Sequence, residues 1–208
     1  MIDRLTLVGE PRVATVEALS DALDSFDRAR PTAVLSHFDA DGLSAAAIRS
    51  RALERAGWAA VPVIIGKGES PWVTEVAARL RAFDPGGLIV ADLGTRPEPV
   101  LSGCPTVVID HHVPTGEPQD ALTISGNGLT PEPTTSLLAW WAVGSLGNQD
   151  DLLWLAAIGL VGDMADEAGF PELSEAQRIW GKTALLDAVS LINAPRRRPT
   201  PVRPCASC

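Results

Sequence analysis

The sequence predicts an α/β fold with three layers, in which helices flank a mostly parallel five-stranded sheet and the C-terminal portion is helical. Five short apolar runs, rich in β-branched residues and bounded by Gly or Pro, recur before residue 126. Their hydrophobicity is continuous rather than alternating, which is typical of strands covered on both faces. Helical patterns separate the first three runs, and this alternation indicates right-handed crossovers in a Rossmann-like arrangement.

The elements follow from these patterns in chain order. The predicted strands are Thr32–His37, Ala59–Ile65, Gly87–Asp92, Thr106–Asp110 and Ala121–Ser125. The predicted helices are Val13–Ala29, Leu43–Gly57, Pro71–Phe83, Thr134–Gly147, Asp150–Asp163 and Ser174–Ile192. Ser174 is the predicted N-cap of the last helix, because Gln177 would complete a capping box. We assign residues 1–193 to one domain and the Arg- and Pro-rich residues 194–208 to a flexible tail.

Composition and charge narrow the class of protein. The 208 residues are 46% hydrophobic and carry a formal net charge of −9, which describes a soluble globular protein and disfavours non-specific binding to a polyanion. The N-terminus lacks the features of a signal peptide, and the longest apolar run, Leu152–Gly162, is too short to span a bilayer. We therefore expect a cytoplasmic protein without membrane contact. Cys104, Cys205 and Cys208 form no disulfide framework and are expected to be free thiols.

Charged and imidazole side chains collect where predicted elements end. They are His37, Asp39 and Asp41 after the first strand, Asp92 at the end of the third, Asp110, His111 and His112 at the end of the fourth, and Asp163 at the end of an apolar helix. All three histidines of the chain belong to this set. The carboxyl ends of parallel strands meet at one edge of the sheet, where open α/β sheets bind their ligands. We therefore expect these side chains to converge there.

The chemistry of this set points to bound cations. No Lys or Arg falls within the clusters, and burying like charges costs on the order of several kcal/mol each unless they pair or coordinate a metal. Imidazole and carboxylate ligands without cysteine favour Mn²⁺, with Mg²⁺, Fe²⁺ or Co²⁺ as alternatives. Six candidate ligands exceed the needs of one tetrahedral site. Two metal ions that share a carboxylate fit better, and such pairs serve phosphoryl transfer.

Four segments resemble, in order, the motifs of the DHH phosphoesterase family. They are HFDADG at 37–42, VADLG at 90–94, DHH at 110–112 and GLVGD at 159–163. The resemblance covers roughly Thr32 to Asp166, and the short spacing of the first motif is closer to the RecJ-like branch. It implies a divalent-metal-dependent phosphoesterase that hydrolyses phosphodiester bonds of single-stranded nucleic acid or oligonucleotides.

The resemblance also implies a role for each residue of the clusters. The first metal would be held by His37 and Asp39, the second by Asp41, His111 and Asp163, and both by Asp92 as a bridge. His112 would face the substrate phosphate as a donor or acid, and Asp110 would orient an imidazole as the second catalytic residue. Asp166 is the alternative to Asp163, which we prefer because it closes the apolar helix.

The segment Thr134–Trp141 stands where RecJ-like members carry a Thr/Ser-rich helix start. Its N-terminal amides and hydroxyls could hold a phosphate, which makes Thr135 and Ser136 candidate substrate-binding residues. The alternative, that Thr134 or Thr135 simply caps a core helix, stays equally open.

One departure from the family affects the partners expected. DHH-family members normally carry a second domain with a Gly-rich, His-containing motif, and the sequence contains no such motif. We therefore expect an isolated catalytic domain, a truncated form, or a site completed by a second domain or a homo-oligomer. Whether the chain is active alone is left open.

Two alternative functions also stay open. One is a small-molecule phosphoesterase acting on nanoRNA, a 3′,5′-bisphosphate nucleotide or a cyclic dinucleotide, which the acidic composition favours. The other is an inactive metal-binding scaffold that binds nucleic acid or a partner. Six tryptophans could mark such an interface, although most fall at helical spacing within apolar runs and so favour core packing.

Overall fold

A computed structural model describes residues 11–194 and contains one five-stranded, all-parallel sheet with the order β2-β1-β3-β4-β5. The strands are β1 Thr32–Ser36, β2 Ala60–Ile64, β3 Gly87–Ala91, β4 Thr106–Asp110 and β5 Ala121–Ser125. All five predicted strands are confirmed. The first three end one residue early, so His37 and Asp92 lie in the turns beyond the sheet.

Seven helices accompany the sheet in the described part of the chain. They are α1 Pro11–Asp24, α2 Ala40–Arg55, α3 Thr74–Arg81, α4 Thr135–Ala142, α5 Leu153–Gly162, α6 Pro171–Trp180 and α7 Lys182–Asn193, with short 3₁₀ helices at Val143–Leu146 and Asp150–Leu152. The helical C-terminal portion is thereby confirmed.

The prediction of a single last helix over Ser174–Ile192 is wrong. Gly181, with φ of 87°, separates α6 from α7, because the left-handed backbone that glycine adopts readily ends a helix. Ser174 lies inside α6 rather than at its N-cap. The helix begins at Pro171, whose fixed φ and missing N–H suit the first helical position.

The sheet is covered on both faces, which confirms the three-layer α/β architecture. Alternate strand residues such as Val34, Ile89 and Ile109 pack in one core with α1, α2, α4 and α5. Their neighbours, such as Leu35 and Val90, pack in a second core with α3 and with loop residues that follow β3. Among the described residues, α3 is the only helix in that second core, so loops cover much of this face.

The connections place a topological switch between β1 and β3. The chain leaves β1 through α2 to β2 on one side, and β3 to β5 continue on the other side. In open α/β sheets the ligand site lies outside the carboxyl ends of the strands at such a point. Residues 37–41 and 92 follow directly from β1 and β3 and therefore stand at this position.

Some expectations fall at or beyond the limits of the described residues. Helix α7 ends at Asn193, and all but the first residue of the predicted tail 194–208, including Cys205 and Cys208, lies outside them. Cys104 is a free thiol. Within residues 11–194, every helix falls short of the length and apolarity that crossing a bilayer would require.

Candidate metal centre

His37 and Asp39 form the outer part of a carboxylate and imidazole cluster at the end of β1. Asp39 caps α2, accepting the Gly42 backbone N–H at 3.0 Å through Oδ1. Its Oδ2 lies 2.7 Å from Nδ1 of His37. The Asp39 carboxylate thus caps the helix with one oxygen and faces the cluster with the other.

Asp41 is the most deeply buried acid of the cluster, with no exposed surface. Its two oxygens accept the backbone N–H groups of Thr135 and Ser136, at 2.8 and 2.9 Å. These amides are at the start of α4, where the helix dipole favours negative charge. The start of α4 therefore fixes the direction of this carboxylate.

Asp92 lies at the centre of the cluster, in a strained backbone conformation. Its φ is 60°, which is uncommon for a residue other than glycine and typical of functional turns. Oδ2 lies 3.7 Å from Nδ1 of His37, and Oδ1 lies 3.7 Å from Nε2 of His111. The Thr135 hydroxyl donates to Oδ1 at 3.2 Å. The two oxygens of Asp92 consequently face different neighbours.

His111 and Asp163 complete the inner part of the cluster. Nε2 of His111 lies 3.1 Å from Oδ2 of Asp163 and 3.9 Å from Oδ2 of Asp41. Asp163 follows the last residue of α5, and its backbone N–H donates to the carbonyl of Gly159. Asp166 is exposed and belongs to none of the candidate ligand groups of the described residues.

Asp110 and His112 form a hydrogen-bonded pair beside the cluster. Oδ1 of Asp110 lies 2.9 Å from Nδ1 of His112 and accepts the His112 backbone N–H at 2.7 Å. Its Oδ2 accepts the backbone N–H groups of Leu93 and Gly94. Asp110 therefore orients the imidazole of His112 and the loop after β3 at once. The His112 ring is half-exposed, and its Nε2 is directed away from Asp110.

Three groups of side chains could each hold a metal ion, and Asp92 belongs to all of them. The groups are His37, Asp39 and Asp92; Asp41, Asp92, His111 and Asp163; and Asp92, His111 and His112, and within each group the ligand atoms lie within 4.8 Å of one another. Nε2 of His111 is buried and faces three carboxylates without making an aligned hydrogen bond. An unsatisfied imidazole nitrogen among carboxylate oxygens fits a metal ligand.

The electrostatics of the cluster also fit bound cations. Burial and neighbouring carboxylates raise the pKa of Asp92 to about 8, and burial and Asp163 raise the pKa of Asp41. Hydrogen bonding to Asp39 raises the pKa of His37 to about 9. Burial alone would lower the pKa of His111, but Asp163, Asp41 and Asp92 raise it to about 9. The metal-free cluster therefore retains protons at neutral pH, and divalent cations would replace them.

Thr135 and Ser136, the predicted substrate-binding residues, have their polar groups engaged by the protein itself. Both residues are fully buried. Their amides donate to Asp41, the Thr135 hydroxyl donates to Asp92, and the Ser136 hydroxyl donates to the carbonyl of Ala156 at 3.2 Å. The anion at this helix start is a carboxylate of the protein, so these groups position Asp41 and Asp92.

Gly159 allows α5 to pack closely against Asp41 and the start of α4. A Cβ at this position would overlap the Ser136 side chain and Oδ1 of Asp41. Any larger residue would have to displace the carboxylate or the start of α4. The first glycine of the GLVGD segment is thus explained by packing rather than by backbone conformation.

A cavity of about 470 Å³ opens beside the cluster, lined in part by His37, Asp92, His112 and Asp163. This volume is within the range of sites for small ligands, about 300–1,000 Å³. The candidate ligands therefore face a space that can admit a substrate.

Comparison with solved structures identifies the fold. The chain is similar to exonuclease RecJ bound to manganese, at 18% identity, with a TM-score of 0.60, covering 92% of this chain and 68% of that one. It is also similar to RecJ from Thermus thermophilus in complex with Mn²⁺, at 18% identity, with a TM-score of 0.62, covering 94% and 39%. The DHH domain of a protein assigned to a family of ribosomal proteins matches at 18% identity, with a TM-score of 0.62, covering 89% and 52%.

The chain has a RecJ-like DHH-domain fold. It spans 68%, 39% and 52% of the lengths of these three proteins. No family model matches the sequence, and no curated protein matches it. At 18% identity, the similarity to these proteins is evident in the fold and is not detected by comparison of the sequences.

Arg49 is a charged residue of this DHH-like domain that the sequence analysis missed. It lies on α2, is fully buried, and its guanidinium nitrogens have no hydrogen-bond partner among the described residues. Burial lowers the pKa of Arg49 to about 9, while Asp41, Asp92 and Asp110 act to raise it. The guanidinium is therefore a buried cation near the cluster at neutral pH. Arg49 is four residues from both Ala45 and Leu53, and this spacing could have predicted that it lies on the buried face of α2.

Replacing Arg49 with Met removes this charge and approximately retains the volume. The guanidinium and any cation bound in the cluster repel one another, so the loss of this buried positive charge should strengthen Mn²⁺ binding. We expect a gain of about tenfold, the scale of partly buried charge interactions. Calorimetric titration with Mn²⁺ measures it.

The matched control is Arg51→Met, which removes an exposed arginine from the same helix. It should leave the Mn²⁺ affinity within about twofold of the unsubstituted protein, because exposed charges are screened. If both variants bind Mn²⁺ equally, Arg49 does not act on the cluster through its charge.

Proposed function

We propose that the chain is a divalent-metal-dependent phosphoesterase that hydrolyses phosphodiester bonds of single-stranded nucleic acid or oligonucleotides. The observation that carries this proposal is the position of Asp92, whose carboxylate belongs to every candidate ligand group. A shared carboxylate suits a pair of metal ions, and paired metal ions are typical of phosphoryl transfer. The similarity to RecJ structures with bound manganese supports the same proposal.

The proposed ligands divide into two sets. His37 and Asp39 would hold one ion, Asp41, His111 and Asp163 would hold the other, and Asp92 would contact both. When bound, the pair would supply Lewis acidity to a phosphoryl oxygen and lower the pKa of a water molecule. Mn²⁺ is our choice, because the ligands are imidazoles and carboxylates without thiolate.

His112 is the proposed catalytic residue that contacts the substrate. Its Nδ1 is engaged by Asp110 at 2.9 Å, so Nε2 is available to a ligand in the cavity. The hydrogen bond to Asp110 also raises the pKa of His112, which favours the protonated ring. We propose that this ring donates to a phosphoryl oxygen or to the leaving oxygen, while Asp110 holds its orientation.

A second candidate, hydrolysis of very short oligonucleotides or nucleotides, is supported by the charge distribution. The net charge is −9, and Arg96 is the only Lys or Arg among the described residues that line the cavity. A long polyanion is usually held by many basic groups. Comparing initial rates on a dinucleotide and on a long single strand separates the two candidates, because a faster dinucleotide reaction would favour the shorter substrate.

Replacing Asp92 with Asn tests the shared carboxylate. Asn tolerates the left-handed backbone and keeps the side-chain volume, but it cannot bridge two cations as a carboxylate does. We expect wild-type protein to bind two Mn²⁺ per chain and Asp92→Asn to lose both, together with hydrolysis of a dinucleotide. Metal analysis after gel filtration and a product assay measure these effects.

Asp84→Asn is the matched control, since Asp84 also has a positive φ, 47°, but is exposed and pairs with Arg30. It should keep both cations and full activity. Retention of wild-type hydrolysis by Asp92→Asn would contradict the bridging role. Two bound cations without hydrolysis of any phosphodiester by the wild-type protein would favour the inactive scaffold instead.

Replacing His112 with Ala distinguishes a catalytic role from ligation. We expect both cations to remain bound while kcat falls about 10²–10⁴-fold, the usual contribution of a general acid or base. Val113→Ala, at the exposed next residue, should leave kcat unchanged. Loss of a bound cation in His112→Ala would instead make His112 a ligand, as its grouping with Asp92 and His111 permits.

A further inference from the structure

Arg96 and Trp72 form a stacked pair in the wall of the 470 Å³ cavity. The guanidinium carbon of Arg96 lies 4.3 Å from the centroid of the Trp72 ring. Both residues line the same cavity as His37, Asp92 and His112. They also line a second, mainly apolar cavity of about 90 Å³ on the face of the sheet that loops cover. An aromatic and cationic surface therefore adjoins the candidate metal centre.

Hydrogen bonds hold this pair in place. The indole N–H of Trp72 donates to the backbone carbonyl of Glu98 at 2.9 Å. The loop that carries Arg96 begins at Leu93 and Gly94, whose amides donate to Asp110. In the same loop, the backbone carbonyl of Thr95 accepts a hydrogen bond from the Thr115 N–H at 3.0 Å. The carboxylate that orients His112 thus also anchors the loop that presents Arg96.

The charge of Arg96 is available to a ligand. Within residues 11–194 its guanidinium makes no hydrogen bond and no ion pair, and its contact is the stack on Trp72. The acids Asp39, Glu69, Asp92 and Asp163 also line the cavity, and the described residues that line it include no other Lys or Arg. Arg96 is therefore the one arginine or lysine among these lining residues with which an anionic ligand in the cavity could interact.

We propose that Trp72 and Arg96 form a nucleobase-stacking platform that holds one nucleotide of the substrate beside the metal centre. A base stacks on the exposed side of this pair, and Arg96 contacts the adjacent phosphate. The indole N–H already donates to the Glu98 carbonyl, so Trp72 contributes only its π surface. It does not form hydrogen bonds with the edge of a base. The substrate class is therefore a nucleotide chain with little base preference, an inference that rests on the proposed function.

The test compares the binding of AMP with that of ribose 5-phosphate, which keeps the phosphate and lacks the base, to the full chain with Mn²⁺. We expect AMP to bind about tenfold more tightly, within the range of base stacking on aromatic side chains. Trp72→Leu should remove this difference and leave the affinity for ribose 5-phosphate unchanged. Arg96→Ala should weaken the binding of both probes. Isothermal titration measures all of these affinities.

A second Arg–Trp pair supplies matched controls. Arg28 stacks on Trp58 at 5.0 Å, and these residues precede β1 and β2, at the opposite edge of the sheet. Arg28→Ala and Trp58→Leu should leave both affinities unchanged. Circular dichroism of all four variants verifies folding. If Trp72→Leu fails to fold, Trp72→Phe takes its place; because it keeps an aromatic ring, it should retain part of the preference for AMP.

Three results would overturn the platform. They are equal affinities of the wild-type protein for the two probes, equal weakening of both probes by Trp72→Leu, and equal effects of Arg28→Ala and Arg96→Ala. Failure of the platform can be distinguished from failure of the proposed function. Base-dependent AMP binding without hydrolysis of any phosphodiester would support the platform and contradict the phosphoesterase, whereas hydrolysis with equal probe affinities would do the reverse.

Discussion

The position of the Asp92 carboxylate is the constraint on which the rest of the site depends. Its oxygens face His37 on one side and His111 on the other, each at 3.7 Å, in a residue with a strained backbone. Burial among other acids makes the ionised form costly, and its raised pKa expresses that cost. Divalent cations between these ligands would offset it, and this is why we interpret the cluster as a metal centre.

The parallel sheet brings these groups together, and the helices keep them in place. The carboxyl ends of β1, β3 and β4 lead into His37, Asp92 and His111, and the end of α5 leads into Asp163. The amides at the start of α4 hold the inner carboxylate of Asp41, and Gly159 leaves the room that this arrangement needs. Asp110 connects the centre to the loops around the cavity, because it binds both His112 and the loop after β3.

Much of this arrangement could be predicted from the sequence. The apolar runs indicate a parallel sheet, and parallel strands end at one edge, so polar residues that follow the strands must meet there. For that reason the sequence alone predicts that His37, Asp92 and His111 lie near one another. Their roles as ligands stay predictions that metal binding must test.

The rest depended on tertiary contacts that local patterns do not encode. In the sequence, Gly181 is compatible with a continuous helix, and only its positive φ shows that the helix ends there. A helix start with hydroxyls predicts an anion, but only the fold shows that Asp41 is that anion. Trp72 and Arg96 lie in separate segments of the chain, and periodicity gives no information about contacts between such segments.

The most direct measurement of the central claim is the anomalous scattering of manganese in crystals of the protein soaked with Mn²⁺. We predict two peaks about 3.5–4 Å apart, one beside His37 and the other beside His111, with Asp92 contacting both. A single peak, or a map without peaks in which these side chains point away from one another, would contradict it.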